Sequence, residues 1–241
     1  MTSNTFRHPD FEAAASALVA VGRDFHARGW ALATGGNFSM RLGDGGMVIT
    51  ASGREKDALT VDDVVALDVE GRLVSSSGSS GPEVRGLPRP TFNAASSRAR
   101  PSAETTLHAK LYARLPQVGA VLHVHSPCAT VISQLDAATG MIELTGYEML
   151  KALSEVRTHE HKERVPIFAN TQNMAVLARD VDAWMDAFGT DNLHGYLVAG
   201  HGLYAWGRHI REARRHVEAF EFLFDCTLRH RAVASPARSA P

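Results

Sequence analysis

The chain has 241 residues, of which 44% are hydrophobic and 21% are charged, a composition typical of a soluble globular protein with a sizeable core. Its 25 basic and 26 acidic residues give a formal net charge of −1 at pH 7 with the histidines neutral. Because no broad positive field is present, the composition argues against nucleic acid or an anionic membrane as the partner and favours a small molecule.

The first half of the chain predicts one helix and three short strands. Apolar residues recur at helical spacing over residues 9–29, and residues 33–40 combine a glycine turn with the start of a strand. Two further strands are predicted at 47–50 and 64–69. Residues 75–100 are rich in serine and proline and lack apolar periodicity, which favours a mobile insertion loop over a linker between two domains.

The second half predicts helices and strands in alternation. Ser102 can cap a helix with a leucine stripe, and Ser126 with Pro127 begins a helix that runs through Leu135. The remaining predicted elements are strands at 118–125, 165–168 and 195–199, helices at 146–153, 176–188 and 208–229, and a frayed tail from Ala232. We therefore expect a single domain over residues 1–241, with α/β layers around a sheet and no internal repeat.

The cysteines and the N-terminal region indicate the compartment. Cys128 and Cys226 lie far apart and in no C-x-x-C arrangement, which argues against a disulfide framework and against a thiolate zinc site. The apolar run over residues 13–21 is too short to span a bilayer and follows Glu12 rather than a basic segment. These features predict a cytoplasmic protein.

The first candidate metal ligands are His123 and His125, which are separated by one valine on a predicted strand. Side chains alternate along a strand, so both imidazoles face the same side with Cα atoms roughly 6 to 7 Å apart. From that separation, two imidazoles can converge on one ion at about 2.1 Å each. An isolated H-x-H motif is equally compatible with two histidines on a polar sheet face.

His201 is a third candidate ligand. It lies between Gly200 and Gly202, directly after the strand predicted at 195–199, and the glycines allow a close backbone turn. Taken alone, a histidine in such a turn is more often a turn residue than a ligand. Three histidines together would leave an open coordination position for a substrate, as in catalytic metal sites.

Other histidines fit ordinary structural roles. His159 and His161 belong to a charged stretch that predicts a solvated loop, because the adjacent cations disfavour a metal. His108 and His216 fall within predicted helices, where we expect surface or half-buried side chains.

Two glycine turns offer backbone N–H groups to an oxyanion. They are Gly35-Gly36-Asn37 and Ser52-Gly53-Arg54, and Ser102 at a predicted helix N-terminus is a third anion-friendly position. Neither turn matches a Walker A or a Rossmann fingerprint. Each glycine turn alone is typical of an ordinary turn. Only the occurrence of both turns together with Ser102 indicates an anion-binding site.

Several motifs resemble the class II aldolase (aldolase/adducin) family in type and order. They are Thr34-Gly35-Gly36-Asn37-Phe38-Ser39, Ser52-Gly53-Arg54-Glu55-Lys56-Asp57, Pro101-Ser102-Ala103-Glu104, His123-Val124-His125-Ser126 and Gly200-His201-Gly202-Leu203. Within the family, Gly146-Tyr147-Glu148-Met149-Leu150-Lys151 and the residues from Gly202 to Arg208 look most similar to the methylthioribulose-1-phosphate dehydratases of methionine salvage. The resemblance covers roughly residues 10–230; the 75–100 loop departs from it, being longer than the usual connection.

The resemblance implies a three-layer α/β/α fold around a central, mostly antiparallel sheet. It also implies a homotetramer with active sites near subunit contacts and one divalent metal per subunit, usually Zn²⁺, on His123, His125 and His201. The phosphate of a sugar-phosphate substrate would be held by the residues matching the family's turns, namely Gly36, Asn37, Ser52, Gly53 and Ser102.

Two glutamates carry the implied acid/base chemistry. Glu148 matches the general acid/base of the dehydratases, whereas Glu104 matches the glutamate that sugar-phosphate aldolases use as acid/base and metal neighbour. Without the resemblance, Glu104 would simply complement a helix dipole and Glu148 would be a solvated carboxylate at a helix start. The open alternatives are a class II aldolase or epimerase acting on fuculose or ribulose phosphates and a metal-free interaction module.

Overall fold

The computed structural model describes residues 10–68, 72–74 and 100–234. The insertion loop expected at 75–100 therefore lies outside the described residues, apart from Arg100, as does the tail beyond residue 234. The single-domain organisation with an insertion loop remains a prediction.

The described strands form one eight-stranded sheet in the order β3-β2-β1-β4-β8-β7-β6-β5. Neighbouring strands are antiparallel except β6 and β7, which are parallel. The mostly antiparallel sheet is thus confirmed. The strands are β1 (Asn37–Arg41), β2 (Met47–Thr50), β3 (Val64–Leu67), β4 (Ala120–Val124), β5 (Met141–Leu144), β6 (Glu163–Phe168), β7 (Gly195–Val198) and β8 (Gly202–Gly207).

Helices cover both faces of the sheet. They are α1 (Phe11–Ala27), α2 (Thr105–Arg114), α3 (Pro127–Leu135), α4 (Met174–Phe188) and α5 (Ile210–Ala234). One hydrophobic core joins α1, α3 and α5 to the sheet, and a second core joins α2 and α4 to the opposite face. Because side chains alternate along β4, Leu122 packs in the first core and Val121 packs in the second. The three-layer α/β/α architecture is therefore confirmed. None of the helices in the described ranges is both long and apolar enough to cross a bilayer.

Local sequence signals determine several boundaries. Helix α3 begins as predicted, with Pro127 in its first turn and the Ser126 hydroxyl accepting a hydrogen bond from the Ala129 backbone at 3.0 Å. Helix α1 lies within the predicted range 9–29 and buries Leu18 and Phe25 on one face. Strand β2 has the bounds predicted from its apolar run.

The start of α2 differs from the prediction. Glu104, rather than Ser102, occupies the N-cap position. The Ser102 hydroxyl instead accepts a hydrogen bond from the Glu104 backbone N–H at 3.3 Å, which makes a turn one step before the helix. This turn places Glu104 directly before the helix, where its side chain accepts from the Asn37 amide on β1.

Four other elements also differ. The helix expected at 146–153 is a short 3₁₀ helix over Glu148–Ala152, and strands β5 and β8 were not predicted. Helix α5 continues to Ala234, whereas fraying was expected from Ala232, because alanines at its end are good helix formers.

Candidate metal centre

His123 lies on β4, the strand at the centre of the site. It is paired across the sheet with Asn37 on β1 and with Tyr204 on β8, so the three side chains share one face. The His123 ring is buried and stacks on the Tyr204 ring, with centroids 3.9 Å apart and an interplanar angle of 12°. Both ring planes are therefore held by the sheet register.

The turn between β7 and β8 brings His201 to this face. A Cβ atom at Gly202 would lie 2.1 Å from the Val124 carbonyl oxygen, so only glycine lets β8 approach β4 so closely. The His201 Nε2 atom lies 3.3 Å from the His123 Nε2 atom and 2.9 Å from the His125 Nε2 atom. The Nε2 atoms of His123 and His125 are 2.8 Å apart. The three histidines proposed from the sequence therefore meet.

The protonation of these rings suits metal binding. The His123 Nδ1–H group donates to the Leu203 carbonyl oxygen at 3.0 Å, so the ring turns its Nε2 atom to the cluster. Burial, together with the neighbouring histidines, lowers the pKa of His125 to about 3 and also lowers the pKa of His201. Ligand atoms on a tetrahedral ion lie about 3.4 Å apart, so three Nε2 atoms at 2.8 to 3.3 Å fit a divalent transition metal.

Glu104 is the fourth member of the cluster. Its Oε1 atom lies 3.3 Å from the His201 Nε2 atom and 3.6 Å from the His123 Nε2 atom. The ligand atoms of Glu104 and the three histidines all lie within 4.8 Å of one another. Burial alone would raise the pKa of Glu104, but hydrogen bonding and charge from His123, with Asn37 and His201, hold that pKa well below its usual range. The cluster therefore combines three imidazole nitrogens with one ionised carboxylate.

The first glycine turn packs directly against this cluster. Gly36 has a φ of +75°, and a Cβ atom there would lie 2.5 Å from the His123 carbonyl oxygen. The next residue, Asn37, donates from its amide nitrogen to the Glu104 carboxylate and, at 3.5 Å, to the Ser102 hydroxyl. The turn thus lies beside the histidines and the start of α2.

The second turn reaches the same region through backbone pairing. Ala51 forms an antiparallel bridge with Pro101, and the Ser52 N–H group donates to the Arg100 carbonyl oxygen at 2.9 Å. Ser52 and Gly53 are exposed in this turn, and Ser52 lies opposite Arg100, two residues before Ser102. The backbone pairing therefore joins the second turn to the segment that leads into α2.

Sequence reasoning missed Lys56. Its side chain is only 1% exposed, and its ammonium donates to the Thr34 carbonyl oxygen at 3.1 Å and to the Arg54 carbonyl oxygen at 2.8 Å. Burial lowers the pKa of this lysine to about 8. The charged stretch around it is typical of a solvated face, and only the neighbouring glycine turns could have suggested a cation that joins two turns.

The expectation for His108 and His216 is wrong. Both side chains are buried, because each finds hydrogen-bond partners on the layer beneath its helix. His108 contacts the Ser39 hydroxyl at 2.7 Å and the Asn37 amide oxygen at 2.6 Å. His216 donates to the Trp206 carbonyl oxygen at 2.6 Å. A single sequence does not show which residues will be the hydrogen-bond partners, because these partners lie on other elements.

The histidines of the loop around His159 are not members of the metal cluster. His159 and Glu160 are exposed, and His161 is half-buried with its Nε2 atom 2.9 Å from the Glu163 carboxylate. Within the described part of the chain, the group of residues able to hold a metal excludes these histidines.

Glu148 also lies outside the cluster. Its side chain is 69% exposed, forms an ion pair with Lys151 and lies 3.3 Å from the His159 ring nitrogen. The hydrogen bond from Lys151 lowers the pKa of Glu148. Across the residues that the structure describes, Glu148 makes no hydrogen bond or ion pair with the histidine cluster. Within one chain, Glu104 and Glu148 therefore do not belong to the same site.

Two solved structures share the overall fold. An L-fuculose 1-phosphate aldolase superposes with a TM-score of 0.70 at 20% identity, covering 98% of this chain and 92% of its own. The L-fuculose-1-phosphate aldolase from Thermus thermophilus gives a TM-score of 0.65 at 24% identity, covering 92% and 97% of the two chains. Likeness at this level of identity establishes the fold alone.

Two relatives are much more similar in sequence. The methylthioribulose-1-phosphate dehydratase of Sorangium cellulosum (strain So ce56) is 48% identical over 218 residues, 90% of this chain and 92% of that protein. The protein of the same name from Stenotrophomonas maltophilia (strain K279a) is 47% identical over 214 residues, 89% of each. The family model for the class II aldolase and adducin N-terminal domain matches residues 16–228. This chain is therefore a member of the class II aldolase and adducin family.

Proposed function

We propose that this protein dehydrates 5-methylthioribulose 1-phosphate to 2,3-diketo-5-methylthiopentyl 1-phosphate in the cytoplasm, as a step of methionine salvage. The observation that carries the proposal is the meeting of three histidines and an ionised glutamate beside turns suited to a phosphate. The names of the similar dehydratases then favour this reaction among those that such a site can perform.

The metal would be held by the three histidines that converge through their Nε2 atoms. When bound there, a divalent ion, which we propose to be Zn²⁺, would polarise the substrate carbonyl and stabilise the negative charge that develops next to it. The Leu203 carbonyl fixes the ligand tautomer of His123, and Tyr204 fixes its ring plane. These contacts prepare the ligands before any substrate arrives.

The phosphate would lie in the adjacent turns. Backbone N–H groups and small polar side chains bind a dianion without requiring a large basic patch, in keeping with the net charge of −1. Lys56 supplies one buried positive charge behind both turns. The phosphate ligands that we propose are Gly36, Asn37, Ser52, Gly53 and Ser102.

Dehydration requires a base and an acid. The C3 proton is removed, the C4 hydroxyl leaves as water after protonation, and the resulting enol tautomerises to the diketone. We assign the proton transfers to Glu148. Because Glu148 lies outside the contacts of its own histidine cluster, it would act in the site of a neighbouring subunit of a homotetramer. Glu104, which touches the ligands directly, is a second candidate for a proton-transfer role.

The test is conversion of methylthioribulose 1-phosphate by the purified protein with Zn²⁺, followed by NMR of the products. We expect the diketone phosphate from the wild type. Glu148→Gln should abolish turnover while the bound metal is retained, because the amide keeps the shape of the side chain but cannot move a proton. Glu160→Gln, which changes another exposed glutamate near this segment, is the matched control and should be fully active. A Glu148→Gln enzyme with wild-type turnover would contradict the assignment.

A sugar-phosphate aldolase is the second candidate function. The position of Glu104 against two of the histidines favours it, because the resemblance assigns the acid/base role in aldolases to the matching glutamate. The same experiment with fuculose 1-phosphate would then give dihydroxyacetone phosphate and lactaldehyde. Cleavage of this substrate without dehydration of the methylthio sugar would replace the first proposal by the second.

A further inference from the structure

A line of buried polar side chains leads from the metal cluster into the core beneath α2. It runs from the Glu104 carboxylate through Asn37, His108 and Ser39 to Tyr112. The His108 Nε2 atom lies 2.6 Å from the Asn37 amide oxygen, and the His108 Nδ1 atom lies 2.7 Å from the Ser39 hydroxyl. The Ser39 hydroxyl lies 2.8 Å from the Tyr112 hydroxyl. This line lies on the sheet face that carries His123, because Asn37 and Ser39 are two residues apart on β1.

The chemistry of the end groups fixes the direction of every hydrogen bond. The Asn37 amide nitrogen donates to the Glu104 carboxylate, so the Asn37 carbonyl oxygen faces His108. His108 must then carry its proton on Nε2. Burial, with His123 nearby, lowers the pKa of His108 to about 3, so the ring is neutral and its Nδ1 atom accepts from Ser39. The Ser39 hydroxyl accepts in turn from Tyr112.

We propose that His108 is a positioning residue of the metal site, which fixes the amide orientation of Asn37 and through it the carboxylate of Glu104. The two ends of an asparagine amide are almost identical in shape, so packing alone does not select between them. The Nε2–H group of His108 selects one orientation of the Asn37 amide, because it repels the NH₂ end of the amide and binds the oxygen end. The inference depends on the metal site of the proposed function.

The alternative orientation has a defined consequence. A flipped Asn37 would place its carbonyl oxygen against the Glu104 carboxylate, so two acceptors would face each other in a half-buried site. Glu104 would then move away from the Nε2 atoms of His123 and His201. A ligand set without its ordered carboxylate should bind a divalent cation more weakly, as is typical when residues behind a metal ligand are changed.

Two substitutions of His108 separate this role from simple packing. A glutamine amide can place an N–H group near the former Nε2 position, whereas the shorter asparagine amide reaches only the former Nδ1 position. His108→Gln therefore keeps a donor for Asn37, and His108→Asn keeps only a partner for Ser39. The measurement is the dissociation constant for Zn²⁺ alone, in competition with a chromophoric chelator. We expect a loss of about tenfold or more for His108→Asn and recovery to within about threefold of wild type for His108→Gln.

His216→Asn is the matched control. It changes another buried helical histidine, which bonds to Ser154 and Trp206 instead of the metal site. It should lower the melting temperature and leave the Zn²⁺ affinity unchanged. Wild-type affinity in His108→Asn, or equal losses in both His108 variants, would overturn the proposal.

A direct reading of the tautomer needs no variant and no metal. Long-range ¹H–¹⁵N NMR of the metal-free wild type should show His108 protonated on Nε2 and unprotonated on Nδ1. A proton on Nδ1 would overturn the proposal even if a variant fails to fold. If the wild type binds no Zn²⁺, the metal site of the proposed function fails, whereas the NMR result still decides the direction of the hydrogen bonds.

Discussion

Lys56 is a buried charge that holds two turns of the chain together. Its ammonium has three donors, and two of them are used by backbone carbonyls in different turns. A lysine is almost never buried to 1% exposure unless its charge has a function or a partner. Because the two turns are those proposed to hold the phosphate, Lys56 both joins them and places a positive charge behind them.

Replacing Lys56 by methionine should raise the KM for the phosphate substrate by about tenfold or more with a smaller change in kcat, because a charge that supports ground-state binding is lost. The wild type should lose the same affinity at high pH. Its folded pKa of about 8 means that the side chain is cationic below that pH and neutral above it, so KM should rise as pH passes 8. Steady-state kinetics from pH 6.5 to 9.5 measure both effects.

Lys110→Met is the control for this experiment, because Lys110 is an exposed lysine on α2 that pairs with Asp182. It should show wild-type KM throughout. A Lys56→Met enzyme whose KM is unchanged, or still rises through pH 8, would show that Lys56 does not support the phosphate site.

At the scale of elements, α5 places a carboxyl group against the start of α3. Glu221 is 4% exposed and accepts a hydrogen bond from the Ser126 hydroxyl at 2.6 Å. Burial raises its pKa to about 7. The folded protein therefore holds this proton up to a higher pH than the unfolded chain does, and the contribution of Glu221 to stability is largest at acid pH.

The free energy of unfolding should accordingly fall as pH rises from about 4.5 to 7, by an upper limit of about 3 kcal/mol from this group. Glu221→Gln stays neutral and still accepts from Ser126, so it should be clearly more stable than the wild type at pH 8 and nearly equal to it at pH 5. Urea unfolding at the two pH values measures the difference. Glu218→Gln, a more exposed change on the same helix, should shift stability by less than about 1 kcal/mol at either pH.

Some of the helices and strands could be predicted from a single sequence, and others could not. Strand β2 and helix α3 were predicted with their observed bounds, because an apolar run and a serine-proline start are local signals. Strand β8 was missed because it is buried on both faces and lies between glycines, so it has neither alternation nor a clear start. The burial of His108 and Lys56 was missed because their partners lie on distant segments.

At the scale of the molecule, the candidate site depends on the sheet order more than on any one motif. The neighbouring strands β1, β4 and β8 bring together Asn37, His123 and the turn that carries His201. The convergence of the three candidate histidines could be predicted from the sequence because strand alternation and a glycine turn are visible there. The contact of Glu104 with them could be anticipated only from the family resemblance, since it depends on how α2 starts above the sheet.

Metal dependence tests the central claim most directly. The purified protein should contain about one divalent ion per chain. After removal of the ion with a chelator, turnover of methylthioribulose 1-phosphate should fall at least about a hundredfold, and added Zn²⁺ should restore it. His201→Ala should neither retain the ion nor recover activity, because a neutral Nε2 ligand is lost. Full activity in protein shown by elemental analysis to be free of metal would contradict the claim.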